Sequence, residues 1–113
     1  MSWYTIADLI EYILDQHNGQ ENAISWEDLT FKVNNEYLTP VDAKVVRDVI
    51  HDLRKNKSLI CSSPKGYYRP SSWQEVKEFT DRLRDPSRDQ LATARILRDA
   101  GRRKFFGQMP MFK

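Results

Sequence analysis

Lys44, Arg47, His51 and Lys55 follow one another at steps of three and four residues, the spacing that places side chains on one face of a helix. Counted at about 100° per residue from the apolar set Val46, Val49, Ile50 and Leu53, they occupy the opposite side, together with Asp48. Ammonium and guanidinium groups in such a row suit phosphate oxygens and guanine edges. Thr39, whose hydroxyl is expected to open this helix, joins the set, as do Lys65 and Arg69, which flank a short β-prone run and can hold a neighbouring phosphate. If this helix is the groove-reading element of a helix-turn-helix, the expected ligand is double-stranded DNA. Asp48 in the row, and Glu27 and Asp28 at the start of the preceding helix, work against it by repelling a polyanion.

Other chemistry has less to stand on. His17 and His51 have no Cys or carboxylate at metal-ligand spacing, so no metal site and no cofactor are expected. Cys61 sits in the apolar run Leu59-Ile60-Cys61 and reads as packing rather than as a nucleophile. There is no glycine-rich phosphate loop, nucleophile elbow or paired acid and base, so neither an enzyme nor a small-molecule substrate is expected.

The positioning elements announce themselves through their caps. Ser or Thr followed three residues later by Asp, Glu or Gln opens a helix, because side chains there satisfy backbone N–H groups that the first turn leaves unpaired. Thr5 with Asp8, Ser25 with Asp28, Thr39 with Asp42, Ser72 with Glu75 and Ser87 with Gln90 predict five helices. Their buried faces are expected to be Ile6, Leu9, Ile10, Ile13 and Leu14; Trp26, Leu29 and Val33; Val46, Val49, Ile50 and Leu53; Trp73, Val76, Phe79 or Thr80, and Leu83; and Leu91, Ala94, Ile96 and Leu97. Pro40 is expected at the first position of the third helix, where its missing N–H costs nothing. Trp3, Trp26 and Trp73 fall near helix starts and are expected in the core. Between the third and fourth helices, Leu59-Ile60-Cys61, Pro64-Lys65-Gly66 and Tyr67-Tyr68-Arg69 read as strand, turn and strand.

Length and composition set the frame. A chain of 113 residues, 40% hydrophobic and 30% charged, suits one folded unit with a single core. One cysteine cannot form an internal disulfide, no apolar run can span a bilayer, and the acids within MSWYTIADLIEYIL are unlike a signal peptide, so a cytoplasmic protein is expected. The net charge of +2 conceals two halves: eight acids against one base through residue 42 give −7, and seventeen bases against eight acids beyond it give +9. A basic half can meet a polyanion even when the molecule is nearly neutral.

Helix, helix, turn, helix and hairpin is the order of a winged helix-turn-helix. The motifs ISWEDL (24 to 29), VVRDVIHDLRKN (45 to 56) and ICSSPKGYYRP (60 to 70) resemble the winged-helix domain at the front of biotin-repressor-type regulators. There an Ile-Ser start, an Arg-x-x-Ile-x-x-Leu recognition helix and a Lys-Gly-Tyr wing recur in this order. The resemblance covers residues 5 to 70 and implies a mainly α fold with a small β-hairpin wing. It also implies that the third helix enters the major groove. Residues 1 to 70 would form the winged helix-turn-helix domain, 71 to 104 a helical extension of two helices, and 105 to 113 a flexible tail, with Gly101 and Gly107 loosening the end of the fifth helix.

The tail adds a second resemblance. Gln108-Met109-Pro110-Met111-Phe112 is similar to the sliding-clamp-binding motif of bacterial replication and repair proteins, typically Gln, Leu, a small or acidic residue, Leu and Phe. Both Leu positions are Met here, and Pro110 takes the variable position. The resemblance implies that Gln108 anchors and that Met111 and Phe112 fill an apolar pocket, as an extended peptide docks. The expectation is a phage or bacterial accessory factor bound to DNA and tethered to a sliding clamp. The alternatives are a protein-binding adaptor or inhibitor that never reads DNA, and a tail whose Phe105, Phe106, Met109, Met111 and Phe112 fold back on the core or on a second copy.

Overall fold

The computed structural model describes residues 5–36, 40–85 and 90–107. Among them are five α-helices and one hairpin: α1 (Ile6–Leu14), α2 (Trp26–Glu36), α3 (Ala43–Lys55), β1 (Cys61–Ser63), β2 (Gly66–Tyr68), α4 (Trp73–Leu83) and α5 (Leu91–Phe106), with a 3-10 turn at Gln20–Asn22. No helix among these residues is long and apolar enough to cross a membrane.

The caps explain where helices begin. Thr5 accepts from the N–H of Asp8 at 3.1 Å, and the Asp8 carboxylate accepts from the N–H of Thr5 at 3.2 Å, a complete capping box. Ser25 accepts from Asp28 at 3.1 Å and Ser72 from Glu75 at 3.3 Å. The expected cap of α3 is corrected. Asp42 caps it, accepting from the N–H of Val45 at 3.0 Å, and Pro40 lies before the helix rather than in its first turn. The cause is Asn34, whose side chain bonds both the N–H and the carbonyl of Val41 and holds that residue, itself buried, outside the helix. Thr39, Ser87 and Trp3 lie outside the described residues.

Two cores divide the chain. The first joins Ile10, Ile13 and Leu14 of α1, Leu29 and Val33 of α2, and Val46 and Ile50 of α3 to Ile24, Val41 and Ile60. The second joins Leu59, Cys61 and Tyr68 to Val76, Phe79 and Leu83 of α4 and Ala94 and Leu97 of α5. Neighbours Leu59 and Ile60 thus face opposite cores, so the strand entrance separates the two. The second core straddles position 70, with α4 and α5 burying their apolar faces on the hairpin.

Several expected core positions are elsewhere. Trp26, the first residue of α2, is 48% exposed although its spacing puts it on the same helical side as Leu29 and Val33. Leu91 is 44% exposed at the start of α5, where Thr93 is buried instead and Ile96 only partly so. Phe79 and Thr80 are both buried. Gly101 does not loosen α5, which continues to Phe106. It is buried, and a Cβ there would lie 2.7 Å from Val76 Cγ1 and 3.3 Å from Trp73 Cζ3, so glycine is what lets α5 approach α4.

Candidate nucleic-acid interface

The inner face of α3 is fixed first. Val46 and Ile50 enter the core, and a further four-residue step reaches Arg54, which is only 9% exposed. Its Nε donates to the carbonyl of Ile60 at 2.8 Å, and its guanidinium lies 4.9 Å from the ring centre of Phe79 and 6.0 Å from that of Tyr67. Nη2 has no hydrogen-bond partner, and burial holds the pKa of the group below its ordinary value. Arg54 is a core residue that its charge disguises in the sequence. Its signal was the step Val46, Ile50, Arg54 along the buried stripe.

With that face anchored, Lys44, Arg47, Asp48, His51 and Lys55 are all exposed. Lys44 and Asp48 form an i,i+4 ion pair at 2.8 Å, which lowers the Asp48 carboxyl and raises the Lys44 ammonium. The acid in the row is therefore matched by its neighbour. Arg47, His51 and Lys55 make no side-chain hydrogen bond or ion pair among the described residues, and with Asp52 also exposed on this side the outer face keeps a small positive excess from Arg47 and Lys55.

The hairpin is held to the segment ahead of α2 by backbone hydrogen bonds. Cys61 pairs with Tyr68, Ser62 with Tyr67 and Ser63 with Gly66 in an antiparallel register. Ile24 forms a further bridge to this pair, exchanging two N–H···O bonds of 2.8 Å with Tyr67. Gly66 has φ +137°, and a Cβ there would fall 2.0 Å from the Ile24 carbonyl oxygen, so this close approach requires glycine. Lys65 stands exposed at the tip, its N–H donating to Ser63 Oγ at 3.2 Å.

Arg69 leaves the candidate set. Its side chain is 11% exposed, with Nη2 3.0 Å from Glu11 and Nε 3.0 Å from Asp15. Nη1 donates to Ser58 Oγ and to the Leu59 carbonyl, both at 3.0 Å. The Ser58 hydroxyl donates to Glu11 at 2.7 Å, and this bond is the largest influence holding the Glu11 carboxyl below its ordinary value, with Arg69 adding to it. Arg69 is a tie between α1 and the hairpin, its charge already met by two carboxylates.

A second basic surface begins where α3 ends. Lys57 takes φ +74° beyond the helix, with its N–H donating to the Arg54 carbonyl at 3.0 Å and the Ser58 N–H to the Leu53 carbonyl at 2.9 Å. This is a Schellman closure with lysine where glycine is usual. Lys57 and the α5 residues Arg95 and Arg102 line one groove of about 550 Å³ with Arg84. Of the tail, Gly107 ends α5 at φ +66°, in open space, and the candidate residues Gln108, Met109, Pro110, Met111 and Phe112 lie outside the described residues.

Among the described residues no group of three or more His, Cys, Asp or Glu could hold a metal ion. Burial pushes the Cys61 thiol up to about 12, which removes its nucleophilic form at ordinary pH. Comparison with protein-family models, with curated proteins and with solved structures finds no match to this chain.

Proposed function

We propose that this chain is a small winged-helix DNA-binding protein, with α3 as the groove-reading helix and the hairpin as its wing. One observation carries the reading: α3 is clamped on its inner face by Val46, Ile50 and Arg54 while Arg47, His51 and Lys55 stand exposed without partners. A helix anchored on its inner face, with the unpaired cations Arg47 and Lys55 and the imidazole of His51 on its outer face, suits phosphates and base edges. Lys44 contributes as one half of its pair with Asp48, and Lys65 from the hairpin tip. Gln108 to Phe112, directly beyond the end of α5, is proposed as the tether to a bacterial sliding clamp, on the strength of its sequence pattern.

Binding to duplex DNA, followed by fluorescence anisotropy between about 50 and 200 mM salt, tests the first part, since each phosphate contact contributes roughly 0.9 to the salt slope. Arg47→Gln with Lys55→Gln is expected to weaken binding at least ten-fold at the lower salt and to leave binding to a purified bacterial clamp unchanged. Met111→Ala with Phe112→Ala is expected to do the reverse. Wild-type protein that shows no salt-dependent binding to DNA ends the DNA reading.

A second reading, an adaptor that binds protein, draws on the acidic half. Tyr12 and Phe31 are 66% and 65% exposed there, and Leu9, Tyr12 and Ile13 line a groove of about 850 Å³ between α1 and α2. Exposed aromatic side chains beside a groove are common in protein interfaces. Clamp binding without DNA binding in the experiment above selects it.

A further inference from the structure

We infer that the groove between the α3–β1 turn and α5 is a second nucleic-acid contact, gripping the sugar-phosphate backbone of the same DNA that α3 meets. The inference rests on the DNA reading of α3 and extends it to residues that the helix-and-wing reading does not use.

The groove is lined by more cations than its internal pairing requires. Arg98 is committed elsewhere: its Nε donates to Thr80 Oγ1 at 2.9 Å and its Nη2 pairs with Asp81. Asp99, the acid of the groove, is matched by Arg103 at 3.1 Å. Arg102 lies over the Trp73 ring at 5.6 Å, a contact that leaves its charge unneutralised. Lys57, Arg84 and Arg95 are exposed and have no side-chain partner among the described residues. Several like charges around one groove repel one another and destabilise the fold unless an anion relieves them.

Lys57 gives an independent sign. It is the one non-glycine among the described residues with positive φ, at a helix-end position where glycine would fit without strain. Lys57 thus brings an ammonium to the groove lining from a left-handed position that glycine would hold without strain and without the charge. The lining also distinguishes between anions. Leu91 and Ile96 line the groove along with the cations. A free phosphate would leave that apolar surface unused, whereas a sugar-phosphate strand presents both charge and apolar sugar edges. Continuity completes the case, because Lys57 is two residues beyond Lys55, so the groove starts where the outer face of α3 ends.

The test measures the salt slope of binding to one duplex for the full chain, for Arg84→Gln with Arg95→Gln, and for Arg47→Gln with Lys55→Gln. Both groove residues are exposed, and the change removes charge while keeping a long polar side chain. The inference expects each pair to lower the slope by about two. A groove pair that leaves slope and affinity at the wild-type value, while the α3 pair lowers both, overturns the inference and leaves the DNA reading standing. Absence of binding by the wild-type chain overturns both.

Discussion

Arg54 shows how one side chain can serve two cores. It extends from α3 between Tyr67, packed on the first core, and Phe79 in the second, and bonds the carbonyl of Ile60 at the boundary. A buried cation over aromatic faces gains from their quadrupoles but loses hydration, and Nη2 recovers none of that loss through a hydrogen bond. The net value of the charge is therefore small, while the volume and the bond to Ile60 matter. Arg54→Ala is expected to destabilise the fold by about 2–4 kcal/mol, through the cavity and the orphaned carbonyl. Arg54→Met, which keeps most of the volume without the charge, is expected to cost less than half as much in chemical denaturation. Equal losses in the two variants would show that the charge itself holds the cores together.

At the scale of elements, the pairing of α4 with α5 depends on what is missing from Gly101. A glycine inside a helix costs about 1 kcal/mol relative to alanine, so on propensity alone Gly101→Ala should stabilise. Here the added methyl meets Val76 Cγ1 at 2.7 Å, and Val76 is fully buried and stiff at χ1. Overpacking of this kind costs about 1–3 kcal/mol, so Gly101→Ala is expected to lower the melting temperature. Adding Val76→Ala is expected to cost less in the Gly101→Ala background than in the wild type, a coupling that a double-mutant cycle measures.

The same helix pair shows how much the sequence disclosed. Helix starts were legible wherever a cap acts locally, as at Thr5, Ser25 and Ser72, and the hairpin was legible from its Pro-Lys-Gly turn. What escaped was set by distant partners. Asn34 holds Val41 out of α3, Val76 and Trp73 demand glycine at position 101, and Glu11 with Asp15 draws Arg69 inward. In the candidate interface the row Lys44, Arg47, His51 and Lys55 was legible because it follows from one helix's periodicity. The groove was not, because Lys57, Arg84 and Arg95 come together only when α5 folds back beside α3.

For the molecule as a whole, the division of charge bears on pH. Glu11 and Asp15 of the acidic half hold Arg69 of the basic half, so this cluster ties the two together. The Glu11 carboxyl is held below its ordinary value of 4.5, first by the Ser58 hydroxyl and then by Arg69. A carboxyl depressed on folding contributes stability that is fully present above its unfolded value and lost as pH falls through the folded value. The wild-type denaturation midpoint is therefore expected to decline as pH drops below about 4.5, with Glu11 contributing to the decline. In Glu11→Gln the midpoint at neutral pH should be lower and its acid decline shallower. Midpoints measured across that range in both proteins check this, and parallel declines would remove Glu11 as a contributor.

The boundary between the two cores also offers a way of timing the molecule. Cys61, the chain's sole thiol, lies fully buried at the start of β1, with its ionisation suppressed to about 12. Alkylating reagents need a solvent-reachable thiolate, so modification proceeds through moments when the hairpin parts from α4. When reclosing outpaces labelling, the labelling rate divided by that of a free thiol gives the equilibrium constant for that opening. One sulfur atom thus acts as a built-in clock, able to report whether a ligand on α3 or in the groove keeps the hairpin closed on α4.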